Sequence, residues 1–173
     1  MAELCIAMEY VYCLFCETRR CQTIADQLQG KVVDTAFSPK IVKRQRKNGK
    51  NIDILYDLLP GYVFAFSSCM LKSIAPLKVD GVIKVLGSSE NNYCLSGIDK
   101  DFANGLLSRE GRVDVMKAIK IGNAVTLEDE LFSEHNGKII EIDYRKQRAK
   151  IEFSFINTTC YSWIACDIII SSI

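Results

Sequence analysis

A chain of 173 residues that is 49% hydrophobic and 25% charged, with a formal net charge of +1, has the composition of a packed globular protein, not of a disordered or polyelectrolyte chain. Its length suits one ordinary domain or two small ones. The longest apolar runs fall well short of the roughly 20 residues a membrane helix needs, and residues 1–5 carry no basic region or cleavage site, so the expectation is a cytoplasmic protein with no leader and no membrane contact.

The first patterned segment, Tyr10–Cys16, is rich in aromatic and branched residues and apolar on both faces, which predicts a central strand. It holds the only C-x-x-C, Cys13 and Cys16. Positions three apart on a strand point to opposite faces, so the two sulfurs do not readily share a zinc ion, and buried reduced thiols are expected instead. No metal or cofactor is expected. A helix follows, with Thr18 as a possible cap, a stripe of Ile24, Ala25 and Leu28, and Gly30 as its stop. Residues 31–37 read as a second strand ended by Pro39. Residues 41–56 read as a hairpin about Asn48-Gly49, a dipeptide suited to a tight two-residue turn.

Leu59, Pro60 and Gly61 form a turn signal before a strand at 62–66, where Tyr62, Phe64 and Phe66 share one face and Val63 and Ala65 the other. A short helix near 69–74 and a strand at Val82–Leu86 come next. Ser96 is placed to cap a helix with Ile98, Phe102 and Leu106 as its apolar face, and Gly111 marks the end. Residues 109–117 are polar and charged apart from a strand-like patch at 113–116, and read as a linker. Beyond Ile119 the helical period disappears. Short strands are expected at Ala124–Leu127, Lys138–Asp143, Arg148–Phe155, 161–166 and 167–170, a spacing that suits a small barrel. The fold class is therefore α+β: an antiparallel sheet with flanking helices over 1–108, a linker at 109–117, and a β-barrel over 118–173.

The C-terminal residues Ile121-Gly122-Asn123-Ala124-Val125, the turn holding Gly137, and the run from Lys138 to Ile151 resemble the KOW motif, in which a glycine opens the central hairpin where a side chain would hinder the backbone. In the N-terminal half, Tyr10-Val11-Tyr12, the basic hairpin and Leu59-Pro60-Gly61-Tyr62-Val63-Phe64 resemble the N-terminal (NGN) domain of the NusG family of transcription elongation and antitermination factors. Order and spacing agree over nearly the whole chain. The usual tryptophan-tyrosine of the first strand is replaced by Tyr10-Val11-Tyr12. A run of acids, Glu128-Asp129-Glu130, stands before Leu131-Phe132 in place of a glycine-proline-phenylalanine-like turn. Both departures, with the basic hairpin, suggest a specialised paralog similar to LoaP or RfaH, acting on selected operons. The resemblance implies an SH3-like KOW barrel and no enzymatic activity.

It further implies that Tyr62, Phe64, Phe66 and Tyr12 form the face that receives the clamp helices of the largest subunit of bacterial RNA polymerase; the plain alternative is that these aromatics are core. Lys40, Lys43, Arg44, Arg46, Lys47 and Lys50 concentrate positive charge on the hairpin, the footprint expected for phosphate contact with nascent RNA or non-template DNA, although a solvated hairpin would look the same. Lys138, Arg145, Lys146, Arg148 and Lys150 form a second basic cluster about a barrel turn beside Tyr144, with a solvated turn as the alternative. The KOW domain would contact RNA, the ribosome or a termination factor, and the chain is expected as a monomer. A ribosome-associated RNA-binding KOW protein is the second reading. Enzymatic constellations are not visible: Asp53 and Asp57, or Asp99 and Asp101, sit where strand-end or helix-start charges belong, and the only histidine, His135, lies in a polar turn.

Overall fold

The computed structural model describes residues 8–87 and 92–171; residues 1–5, read above as lacking a leader, lie outside them. The chain forms two compact units that are not contiguous in sequence. The first comprises the residues up to Pro39 together with Leu59–Ala103, and the second Lys40–Leu58 with the residues from Asn104 onward.

In the first unit β1 (Tyr10–Cys16) is central, as its two-faced apolarity requires. It pairs antiparallel with β5 (Tyr62–Ser67) on one side and β6 (Val82–Leu86) on the other, and β2 (Thr35–Phe37) completes the order β2-β5-β1-β6. The helix α1 (Cys21–Leu28) lays Ile24, Ala25 and Leu28 over one face, against Tyr12, Leu14, Cys16, Val63, Ala65 and Val85. Val11, Cys13, Phe64 and Phe66 are buried on the other face. Alternation along the strands thus supplies two apolar layers from one run of sequence.

Several local expectations are corrected here. Thr18 does not cap α1: Thr18–Arg20 is a single 3-10 turn, and Arg20 occupies the cap position without a side-chain bond. Only the last part of 31–37 is extended, because Gly30 turns left-handed (φ 70°) and the chain remains in a turn before β2. No helix forms near 69–74. A 3-10 turn follows instead at Ala75–Leu77, with Pro76 at its start, where the absent N–H costs nothing. The helix α2 (Gly97–Leu107) buries Phe102, Ala103 and Leu106, while Ile98 is 51% exposed, so its apolar stripe starts a turn later than expected.

In the second unit β3 (Lys40–Lys47) and β4 (Lys50–Asp57) form the expected hairpin, with Asn48 (φ 50°) and Gly49 (φ 79°) both left-handed as a tight turn demands. The strand β7 (Arg112–Val113) runs parallel to β3. Residues 109–117, expected as a linker, therefore carry β7 and the start of β8 (Met116–Ile121). A five-stranded sheet follows in the order β10-β11-β12-β8-β9, built from β8, β9 (Ala124–Leu127), β10 (Lys138–Asp143), β11 (Arg148–Phe155) and β12 (Thr158–Ser171). It curls until its edge strands β9 and β10 approach each other. The two strands expected at 161–166 and 167–170 are one. No turn residue separates Cys166 from Asp167, so β12 runs on, pairing antiparallel with β11 and then parallel with β8.

The acidic run before Leu131 starts a short helix, α3 (Glu130–Ser133), in which Asp129 accepts from the Leu131 N–H at 3.0 Å and Leu131 and Phe132 turn inward. Gly137 is needed for space, since an added Cβ would lie 2.3 Å from the Phe132 carbonyl oxygen. Ala149, Ile151, Phe153 and Phe155 are buried in strict alternation along β11, and Phe132 meets Phe153 edge-on at 5.2 Å.

Candidate interaction surfaces

The aromatic strand β5 is mostly core. Phe64 and Phe66 are fully buried, with Phe37 stacked on Phe66 at 5.4 Å, and Tyr12 is 2% exposed. Tyr12 lies on the α1 side of the sheet, where its hydroxyl accepts from the Leu71 N–H at 3.0 Å and burial pushes its pKa up to about 12. Strand alternation explains the division: Tyr12 shares a face with Leu14, not with the β5 aromatics, so these four residues do not make one surface. Tyr62 alone among them reaches solvent. It meets Phe15 edge-on at 5.5 Å, and Phe15, its register partner on β1, is 37% exposed. Phe15 was not singled out from sequence; the signal was its place opposite Tyr62, which requires the strand pairing to be known.

The basic hairpin divides as well. Arg44 is 9% exposed and its guanidinium is held by three groups: Asp53 through Nε and Nη2 at 2.7 and 3.0 Å, Asp167 at 3.0 Å and the Gln147 side-chain Oε1 at 3.2 Å. Hydrogen bonding to Asp53 holds the Arg44 pKa above its usual value and, reciprocally, the Asp53 carboxyl below its own. Lys40 is paired with Asp57. Lys43 lies 5.1 Å from the Tyr56 ring centre, and burial lowers its pKa. Arg46, Lys47 and Lys50 at the tip are exposed, and no ion pair holds them among the described residues. The hairpin therefore presents a basic tip on a neutralised stem.

The second cluster is also largely paired. Lys138 bridges Glu152 at 2.7 Å, while Lys146 and Arg148 both approach Asp143, whose carboxyl is lowered first by the Lys146 backbone N–H and then by these cations. The Arg148 guanidinium lies 4.3 Å over the Trp163 ring, Lys150 lies 5.8 Å from that of Tyr161, and Lys120 lies 5.0 Å from that of Tyr144. Arg145 and Tyr144 are exposed at the turn. Trp163 and Tyr161 went unremarked in the sequence because their outward direction depends on the register of β12.

The two thiols of the C-x-x-C are kept unreactive by burial. Cys13 is buried on one face of β1 and Cys16 on the other, and burial raises both, Cys16 to about 12. No group of three or more potential metal ligands occurs among the described residues. No helix among them is long and apolar enough to cross a membrane.

Comparison with known proteins agrees with this arrangement of sheets and helices. The solved structure described as "Domain interaction in Thermotoga maritima NusG" superposes with a TM-score of 0.52 over 90% of this chain and 92% of that one, at 14% identity, a likeness of fold. The transcription termination/antitermination protein NusG of Rickettsia felis is 26% identical over 133 residues, covering 76% of this chain and 69% of the relative. A family model described as "Transcription termination factor nusG" matches residues 10–99, which contain β1, the hairpin and the aromatic strand described above. By that match the chain belongs to the NusG family of transcription termination and antitermination factors.

Proposed function

We propose that this protein is an elongation and antitermination factor of the specialised LoaP or RfaH kind, working in the cytoplasm as a monomer and performing no covalent chemistry. In this reading the first unit, with the basic hairpin, is an NGN domain that docks on the clamp helices of bacterial RNA polymerase. It hinders the opening that accompanies pausing or termination at selected operons. The C-terminal sheet is a KOW domain that contacts nascent RNA or a second protein, such as the ribosome or a termination factor.

The observation that carries the docking step is the half-exposed pair Phe15 and Tyr62, two aromatic rings at an angle of 65° on adjacent strands. Rigid aromatic pairs of this kind suit the apolar anchors of a helical partner. Phe64 and Phe66, on the same face of β5, are buried and pack against Phe37. The exposed tip residues Arg46, Lys47 and Lys50 would contact phosphate, conferring affinity more than sequence choice.

Binding of the full chain to a coiled-coil fragment of the polymerase clamp tests this directly. Tyr62→Ala is expected to weaken that binding by at least about thirtyfold, the cost of a hot-spot aromatic, with little change in melting temperature. Absence of binding by the unmodified chain, with binding to ribosomes in its place, would favour a ribosome-associated KOW protein.

A further inference from the structure

Opposite the buried row of β11 lies a face whose composition follows from register. Lys150 stands across from Trp163 and Glu152 across from Tyr161, while β10 adds Glu141 beside Lys150 and Lys138 beside Glu152. Tyr161 and Trp163 are two residues apart on one strand, so their side chains leave the same face about 7 Å apart. Tyr161 is 55% exposed. Trp163 is half-buried, with the Arg148 guanidinium over its ring; the Arg148 side chain is 21% exposed and its Nε is tied to Asp143 at 3.3 Å.

This arrangement offers two stacking planes flanked by cations. One is the Tyr161 ring; the other is a guanidinium fixed from below by an indole and from the side by a carboxylate. Unpaired bases stack on aromatic rings and on guanidinium planes, whereas the bases of a duplex are already stacked on one another and are unavailable. The acids Glu141 and Glu152 would weaken a surface that relied on phosphate attraction alone. They can instead accept hydrogen bonds from ribose 2′-hydroxyls, which deoxyribose lacks.

We propose that this face binds unpaired RNA, one base stacking on Tyr161 and a neighbouring base on the Arg148 guanidinium backed by Trp163. The inference rests on the reading that the C-terminal sheet contacts nascent RNA, and it assigns that contact to named residues.

Trp163 is the single tryptophan of the chain and reports on its own site. Titrating the full chain with an unstructured ten-nucleotide RNA is expected to give a saturating change in tryptophan emission. The DNA oligomer of the same sequence should bind more weakly, and the duplex RNA should leave the emission unchanged. Tyr161→Ala should lose about fivefold or more in affinity, and Tyr161→Phe, which keeps the ring, should restore it. Replacing Arg46, Lys47 and Lys50 by glutamine should lower affinity without abolishing the emission change. RNA binding with no change in emission, or with undiminished affinity in Tyr161→Ala, overturns this assignment while leaving RNA contact by the protein intact. Absence of any RNA binding removes both, and equal affinity for the DNA oligomer overturns the choice of RNA.

Discussion

Arg44 and Arg46 sit two residues apart on the same strand, yet one is fixed and the other open. In the linear sequence the stretch from Lys40 to Lys50 contains no acid, but the returning strand sets Asp57 opposite Lys40 and Asp53 opposite Arg44, and Asp167 adds a third partner. Counting charge along the chain overlooks this cross-strand neutralisation. Asp53→Asn should lower stability by about 0.5–1 kcal/mol at pH 7, a modest figure because the Asp53 side chain is 39% exposed and solvent screens the pair. The Asp53 carboxyl is depressed in the folded state, so its contribution is present above the unfolded value, about pH 3.9, and is lost as pH falls through the folded value. Unfolding of the two proteins by urea should therefore differ at pH 7 and converge as the pH falls below about 4. By contrast, glutamine at Arg46, Lys47 and Lys50 should leave stability unchanged and flatten the salt dependence of nucleic-acid binding. Equal stability of Asp53→Asn and the parent at pH 7 would show that Arg44 is held by something other than the Asp53 carboxylate.

At the scale of elements, strands with an unambiguous period were legible from sequence and the caps and faces were not. β9, β10 and β11 fall where alternation and turn residues place them, and the hairpin forms about Asn48 and Gly49. The extent of β12, the shift of the α2 stripe away from Ile98 and the turn at Ala75–Leu77 depend on what the chain packs against, which local pattern does not contain. The β5 aromatics show the same limit. Period two correctly groups Tyr62, Phe64 and Phe66, yet it cannot say whether that face meets a partner or a layer of the same protein. The structure covers Phe64 and Phe66 and leaves Tyr62 half-exposed. Phe64→Ala is accordingly expected to destabilise the fold by about 3–5 kcal/mol through loss of a fully buried ring, readable as a large fall in the urea midpoint. Tyr62→Ala should cost far less. Equal, small effects for the two variants would show that Phe64 is accessible in solution.

At the scale of the whole molecule the question is which pieces fold alone. The sequence suggests a cut within 109–117, but the second unit gathers Lys40–Leu58 with the residues from Asn104 onward. Its two sheets differ in what such a cut removes. The five-stranded sheet draws all its strands from Met116–Ile121 onward, and its core of Phe132, Ala149, Ile151, Phe153, Phe155 and Ile164 is contained in the same stretch. The three-stranded sheet takes β3 and β4 from one side of the cut and β7 from the other, and Arg44 takes two of its three partners, Gln147 and Asp167, from beyond it. We therefore expect a fragment of residues 116–173 to melt cooperatively with a β-type circular dichroism spectrum, since branched and aromatic residues at period two favour strands and would scatter around a helix. A fragment of residues 1–108 should retain the β2-β5-β1-β6 sheet but lose amide-exchange protection along Lys40–Lys47, because a two-stranded hairpin without β7 or Asp167 is marginal in water. A helical spectrum from 116–173 would show that its strands depend on the rest of the chain. Full protection of the hairpin in 1–108 would show that β3 and β4 need neither β7 nor the C-terminal sheet.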